Sequence, residues 1–292
     1  MTPEISEFSY GFALTNEIVG WTPLKIAPIF PSLIEEGKTG GGYDVKLDIP
    51  GIPLYLQFKR ADCMVRKNAT EFIKNPTIAL SKPFYRFKIT ESGKSNQHRL
   101  LLELSKNPGA SVFYAAPRFH KLVEINQAWD TNEVASRSIF ISPTAIGTLN
   151  AESHHVAYDN QNAFLFSEPK NIQFLTSYDL LSFMQRQLDT EIKPLKDTIP
   201  TMISNLDNAI HRVETGILNE QKRLSHGERL LIPTAAIESA DTIESLSSIA
   251  KPISTRQSRP LSGSEQQLRQ LSDKAAKRFN TQLIIIQKVE KV

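Results

Sequence analysis

The chain has 292 residues and a single cysteine, Cys63. No internal disulfide can form, and no zinc knuckle can be assembled from thiolates, so a reducing compartment is the expected setting. No run approaches the roughly 18 uninterrupted apolar residues of a membrane-spanning helix. The opening Met1-Thr2-Pro3-Glu4-Ile5-Ser6-Glu7 is acidic and lacks the apolar core of a signal peptide. A cytoplasmic protein with no membrane partner is therefore expected. Familiar catalytic spacings are also missing. His211 with Glu214, and His226 with Glu228, do not make the His-Glu-x-x-His pattern of a metalloprotease. Cys63 has no neighbouring histidine in sequence to activate it. Gly40-Gly41-Gly42 precedes a strand rather than a helix, so it is not a Walker-type phosphate cradle. It reads as a turn, or as a loop approaching a DNA backbone. His154 and His155 alternate across a strand, so only one can face a given site, and structural roles are expected for them.

What is present is an ordinary globular composition, 40% apolar and 22% charged, with net charge +3. That charge is unevenly spread. Fourteen Lys and Arg against five acids between residues 45 and 122 give that span +9 and leave −6 for the rest. A solvated mixed surface accommodates such a run, but a surplus this large suits a face that binds a polyanion such as DNA.

Periodicity divides the chain. Residues 4–19 read as a helix, with Ile5, Phe8, Phe12 and Val19 on one stripe and Leu14 and Ile18 widening it. A short extended piece at 24–30 is bounded by prolines. From 43 the period becomes two: Val45, Leu47 and Ile49, then Pro50-Gly51-Ile52-Pro53, then Leu54, Leu56 and Phe58. This pattern predicts a β-hairpin over 43–60. Helices at 97–106 and 119–129 alternate with strands at 111–116, 137–142 and 154–166, which implies an α/β domain over 1–175. An apolar ladder from Leu181 to Ile217, punctuated at Pro194 and Pro200, predicts a helical module within 176–250. The Ser/Pro/Gly/Arg-rich stretch 251–264 reads as a linker, and 265–292 as a C-terminal helix. An apolar stripe larger than the domain can bury would make these helices a surface for homo-oligomerisation or for a protein partner.

A four-residue loop at 50–53 sets the hairpin register, with Ile49 facing Leu54 and Asp44 facing Lys59. Opposed side chains then lie about 5 Å apart at Cβ, so Asp44, Gln57 and Lys59 can surround one ion and one water. Phosphodiester hydrolysis needs such a group. Asp44 and Gln57 would supply oxygen ligands to Mg²⁺ or Mn²⁺, and Lys59 would hold or deprotonate the attacking water. Arg60, Arg66 and Lys67 follow at once and could contact phosphates. An ordinary hairpin with a cross-strand Asp44–Lys59 ion pair is the alternative.

Gly42-Tyr43-Asp44-Val45 followed by Tyr55-Leu56-Gln57-Phe58-Lys59 resembles the PD-(D/E)xK, restriction-endonuclease-like nuclease superfamily, and its Gln-x-Lys variant is similar to that of Mrr-type restriction enzymes. The resemblance covers about the first 120 residues. It implies a restriction-endonuclease-like mixed central sheet flanked by helices, followed by a helical C-terminal region. It also implies a Mg²⁺-dependent deoxyribonuclease acting in antiviral defence, restriction or repair. Gln57 replaces the usual acid. The family often adds a glutamate from its first helix, for which Glu17 is the candidate, with Glu7 and Glu35 behind it. A catalytically silent subunit of the same fold, binding nucleic acid or a protein partner, is the other implication.

Overall fold

Two sheets organise the chain, with strand orders β5-β4-β1-β9 and β2-β3-β6-β7-β8. The structure, a computed structural model, describes residues 1–21, 47–66, 72, 78–90, 93–225 and 262–287. In chain order, α1 (Glu7–Gly20) leads to β1 (Gly51–Phe58), β2 (Asp62–Met64) and β3 (Phe84–Ile89). There follow α2 (Gln97–Ser105), β4 (Ser111–Pro117), α3 (Leu122–Asp130), β5 (Ser138–Ile141) and α4 (Pro143–Ile146). The second sheet is completed by β6 (His154–Tyr158), β7 (Ala163–Leu165) and β8 (Lys170–Asn171). Last come α5 (Ser177–Thr190), α6 (Leu195–Ser225), α7 (Gly263–Phe279) and β9 (Gln282–Gln287). The fold is thus mixed α/β.

The Ser6 hydroxyl starts α1 by accepting from Ser9 N at 3.0 Å, and Glu7 in the first turn favours the positive end of the helix. Its buried stripe is Tyr10, Leu14 and Ile18, whereas Phe8 and Phe12 are 84% and 57% exposed. This corrects the sequence expectation, which put Phe8 and Phe12 on the main stripe. Both stripes obey helical spacing, so period alone does not set the helix's rotation. The observed rotation lets the Tyr10 hydroxyl donate to Ser138 Oγ at 2.9 Å. It also turns Gly11 towards Phe58, whose ring stands where a Cβ would need room, 2.5 Å away.

The hairpin expected over 43–60 does not form about residues 50–53. Those residues are not a turn: β1 begins at Gly51 and is paired on both sides. It runs parallel to β4, with Leu54 beside Ser111, and antiparallel to β9, with Leu54 beside Ile284. Ile49 is therefore not the partner of Leu54. The 47–50 segment bonds elsewhere: Leu195 N donates to Ile49 O at 2.9 Å and Lys196 N to Leu47 O at 3.0 Å. A distant strand wins because the β-branched run Ile284-Ile285-Ile286 lies in β9, which pairs continuously from Gly51 to Leu56. The extended piece expected at 24–30 lies outside the described residues.

The C-terminal helix expected over 265–292 stops at Phe279. Asn280 takes the left-handed conformation (φ 49°), and the Asn280 and Thr281 amides cap the Ala276 and Ala275 carbonyls. The chain then reverses into β9. The ladder expected at 181–217 is helical on either side of residues 191–194, and most of it is packed, although Leu181 and Ile192 stay exposed. Leu195, Ile199, Met202 and Leu206 of α6 pack with Leu268 and Leu271 of α7 in one core beneath the first sheet. Pro194 separates α5 from α6, while Pro200 is carried inside α6.

Two cores flank the first sheet. On one face α1, α3 and α5 cover Leu54, Leu56, Phe113 and Phe140. On the other, Tyr55, Val112, Tyr114 and Ile139 meet α2, α6, α7 and the second sheet, from which Phe87 and Tyr158 project.

Candidate active site on the central strand

Strand alternation sends Leu54 and Leu56 into the core under α1, and Tyr55 and Gln57 to the opposite face. Lys59 lies two residues beyond Gln57. Its amide extends the ladder by donating to Ala115 O at 2.9 Å, and its ammonium sits 5.8 Å from the centroid of the Tyr114 ring. Gln57 and Lys59 therefore share one face, as the sequence pattern requires.

Both are enclosed: Gln57 is 1% exposed and Lys59 8%. Neither amide atom of Gln57 has a hydrogen-bond partner among the described residues. Such a buried, unpartnered group costs about 1–3 kcal/mol, so it demands an explanation. Burial lowers the Lys59 pKa below the ordinary lysine value, and the charge of Glu7 offsets part of that shift. The Tyr114 ring offers the amine a cation–π contact, a weak substitute for water.

Tyr114, beside Gln57 in the parallel pair, ties this face to α2. His98 Nδ1 is 2.8 Å from the Tyr114 hydroxyl and its Nε2 is 2.8 Å from Gly147 O. A carbonyl only accepts, so the proton is assigned to Nε2, and Tyr114 donates to Nδ1. Burial lowers the His98 pKa, the Gly147 bond opposes this, and the charges of His154 and Lys59 lower it further. A neutral imidazole thus buttresses the tyrosine under Lys59.

The remaining expected residues are dispersed. Glu17 lies on α1, across the sheet, where its carboxylate accepts from Ala135 N at 3.1 Å; it is not brought to Gln57 and Lys59. Glu7, the second choice from the same helix, is the carboxylate whose charge Lys59 feels. Asp44, Glu35 and Lys67 lie outside the described residues. Arg60 is exposed just beyond β1 and Arg66 just beyond β2 in the second sheet, and Arg118, whose pKa burial lowers, follows β4. One arginine thus follows each of the two parallel strands β1 and β4, Arg60 and Arg118, at the carboxyl ends where ligands usually bind in open α/β sheets.

His154 is structural, with Nδ1 2.7 Å from Ser167 Oγ and Nε2 2.8 Å from Asn150 Oδ1. Cys63 is buried, and burial pushes its thiol pKa up, which leaves it a poor nucleophile. His98 and Tyr114 are not among the expected residues, because separate elements, α2 and β4, bring them to Lys59. The strand period of 111–116 was the only available signal, since it placed Tyr114 on a sheet.

Among the described residues no group of three or more His, Cys, Asp or Glu could hold a metal ion. The donor these residues do offer is Gln57 Oε1, a hard neutral oxygen without a partner, which fits a Mg²⁺ ion but supplies no charge. Among the described residues no helix is long and apolar enough to cross a membrane. Compared with known proteins, the chain matches no family model, no curated protein and no solved structure.

Proposed function

We propose that the chain is a metal-dependent nuclease that hydrolyses DNA phosphodiester bonds at Gln57 and Lys59. The observation that carries this reading is the orphaned Gln57 amide, held beside a buried lysine of lowered pKa on one face of the central strand. An arrangement that costs stability at two adjacent positions is what a functional site looks like. A divalent cation held by Gln57 Oε1 would supply Lewis acidity and lower the pKa of a bound water; Asp44, the acid of the sequence pattern, lies outside the described residues. Lys59 orients the attacking water, and its lowered pKa raises the fraction of the amine in the neutral form that can accept a proton. In its charged form it offsets negative charge at phosphorus. Tyr114, braced by His98, sets the position of that amine. Arg60 and Arg66 would hold the DNA backbone without reading its sequence.

A second reading is a catalytically silent protein of the same architecture that binds nucleic acid. It is favoured by the near-complete enclosure of Gln57 and Lys59 and by the amide standing where a carboxylate is usual. The two separate when plasmid and single-stranded DNA are incubated with the protein and Mg²⁺ or Mn²⁺, alongside Lys59→Ala. Cleavage that disappears in the variant supports the enzyme. DNA binding that falls steeply with salt, without cleavage under any divalent ion, supports the silent form. Cleavage unaffected by Lys59→Ala rejects this site.

A further inference from the structure

The antiparallel pair β4–β5 ends on two like charges. Its register sets Pro117 opposite Ser138, and one residue further on Arg118 N donates to Arg137 O at 2.7 Å. Arg118 and Arg137 are therefore directly opposed, with Cβ atoms about 5 Å apart and side chains leaving the same face of the pair. Like charges in that relation destabilise a sheet. Either carboxylates neutralise them or a ligand does.

Among the described residues neither guanidinium makes an ion pair with a carboxylate. Arg118 donates through Nη2 to Ser136 O. Arg137 donates through Nη1 to Glu124 O at 3.5 Å, and its guanidinium lies 5.4 Å from the centroid of the Phe119 ring. Each thus spends one N–H on a carbonyl and keeps the rest of a planar fork. The nearby acids are committed to the start of α3. Glu124 Oε2 accepts from His120 N at 2.7 Å and Lys121 N at 2.9 Å, and Glu4 Oε2 from Leu122 N at 3.1 Å. Glu124 still feels the charge of Arg137. Around Arg118 there are phenols instead: burial lowers its pKa, Tyr158, Tyr10 and Tyr85 oppose that shift, and Arg137 adds to it.

Two more polar groups stand by the pair. His120 is 4% exposed, and neither ring nitrogen has a hydrogen-bond partner among the described residues. Its Nδ1 comes within 3.1 Å of Glu124 Oε2, but not in the direction of a hydrogen bond. The Tyr85 ring, from the second sheet, is 6.5 Å from the His120 ring. Burial pushes the Tyr85 pKa up to about 12, and Arg137 and Arg118 are the charges that oppose this. The place is the carboxyl end of the first sheet. Lys59 N donates to Ala115 O at 2.9 Å, so Arg118 stands about 10 Å further along the neighbouring strand than the lysine.

We infer that Arg118 and Arg137 form an oxyanion clamp that takes a phosphate group between their guanidiniums, with Tyr85 and His120 as further donors. A carboxylate satisfies one planar fork, whereas a tetrahedral phosphate offers oxygens to both. Its negative charge removes the repulsion that the opposed pair carries alone. The phosphate belongs either to a DNA backbone or to a free phosphate ester. The clamp is separate from Gln57 and independent of whether Lys59 is catalytic.

The test uses the full chain in EDTA, so that no metal-dependent cleavage intervenes. Inorganic phosphate is titrated against chloride at equal ionic strength, and the urea unfolding midpoint is read. Phosphate should raise the midpoint of the parent chain. Arg118→Gln and Arg137→Gln should each weaken the apparent phosphate affinity about tenfold or more. Arg118→Lys, which keeps the charge but not the fork, should weaken it as well. Without phosphate, the glutamine variants should unfold at urea no lower than the parent, because the repulsion is gone. A labelled single-stranded oligonucleotide in the same buffer identifies the source. If both glutamine variants weaken its binding and lower its salt slope by about 1 each, the clamp holds a backbone phosphate. If they lose inorganic phosphate and bind the oligonucleotide as the parent does, it holds a free phosphate ester. A parent midpoint that phosphate raises no more than chloride overturns the inference, as do glutamine variants that respond to phosphate like the parent. So does a lowered midpoint in both glutamine variants, which would make the arginines structural. A parent chain that fails to cleave DNA with Mg²⁺ would reject the nuclease reading and leave each of these outcomes as stated.

Discussion

Replacing Gln57 with methionine should make the protein more stable. The amide is 1% exposed, and neither of its polar atoms has a partner among the described residues. An unmade hydrogen bond costs about 1–3 kcal/mol per buried group, whereas an apolar group of the same shape leaves nothing unpaired. Taking the lower end for each atom, because a long side chain relaxes in part, Gln57→Met gains about 2 kcal/mol. Methionine has similar length and flexibility and fills irregular space, so overpacking is small. For a chain of 292 residues that gain raises the thermal midpoint by about 3 °C. Urea unfolding followed by fluorescence and far-UV circular dichroism measures it, with the slope checked so that the midpoint reports stability. A destabilisation of about 1 kcal/mol or more would mean that the amide is already satisfied and structural. Gln57 would then be an ordinary core residue, and the reason to see a ligand site there would be gone.

Lys59→Met should also stabilise, with a characteristic pH dependence. The folded-state pKa lies below the ordinary value of 10.5, so between those two values the unfolded chain holds a proton that the folded chain has lost. Stability therefore rises with pH across that window, and below it the full cost of burying the charge is present. Subtracting the Lys59→Met curve from the parent curve isolates this rise; a flat difference contradicts the burial of the amine. Gly11→Ala sets helix propensity, worth about 0.5–1 kcal/mol in its favour, against the Phe58 ring 2.5 Å from the new Cβ. The clash dominates at about 1–3 kcal/mol, so a lowered unfolding midpoint is expected, and a raised one would show that Phe58 moves freely. Leu283→Ala removes a 5% exposed side chain from β9 and should cost about 2–4 kcal/mol; urea unfolding with a loss under about 1 kcal/mol would mean that β9 is not integral to the sheet.

The residues explain why the sequence was readable in some places and not in others. Gln57 and Lys59 could be seen together because they sit two apart on one strand, and a period of two needs no tertiary information. Their neighbours could not. Ile49 was the nearest in sequence to pair with Leu54, yet Ser111 and Ile284 hold those places; alternation identifies a strand but not its partner. The run at 283–286 follows the helix after only three polar residues, Asn280-Thr281-Gln282, and Asn280 in the left-handed conformation marks the change. The expected stripe of α1 runs through Phe8 and Phe12, but the buried one is Tyr10, Leu14 and Ile18, so the helix is rotated from that expectation and Glu17 lies against Ala135. Core packing decides rotation, and it involves Phe58 and Ser138 from distant parts of the chain.

The central claim is that Gln57 and Lys59 give up stability for catalysis, and it is tested most directly by measuring cleavage and unfolding on the same samples. Initial rates on plasmid DNA with Mg²⁺ or Mn²⁺ are taken for the parent chain, Gln57→Met and Lys59→Met, beside their urea midpoints. Both variants should unfold at higher urea and lose about 100-fold or more in rate. Cleavage that persists at the parental rate in either variant, or variants that are both less stable and no less active, would contradict it.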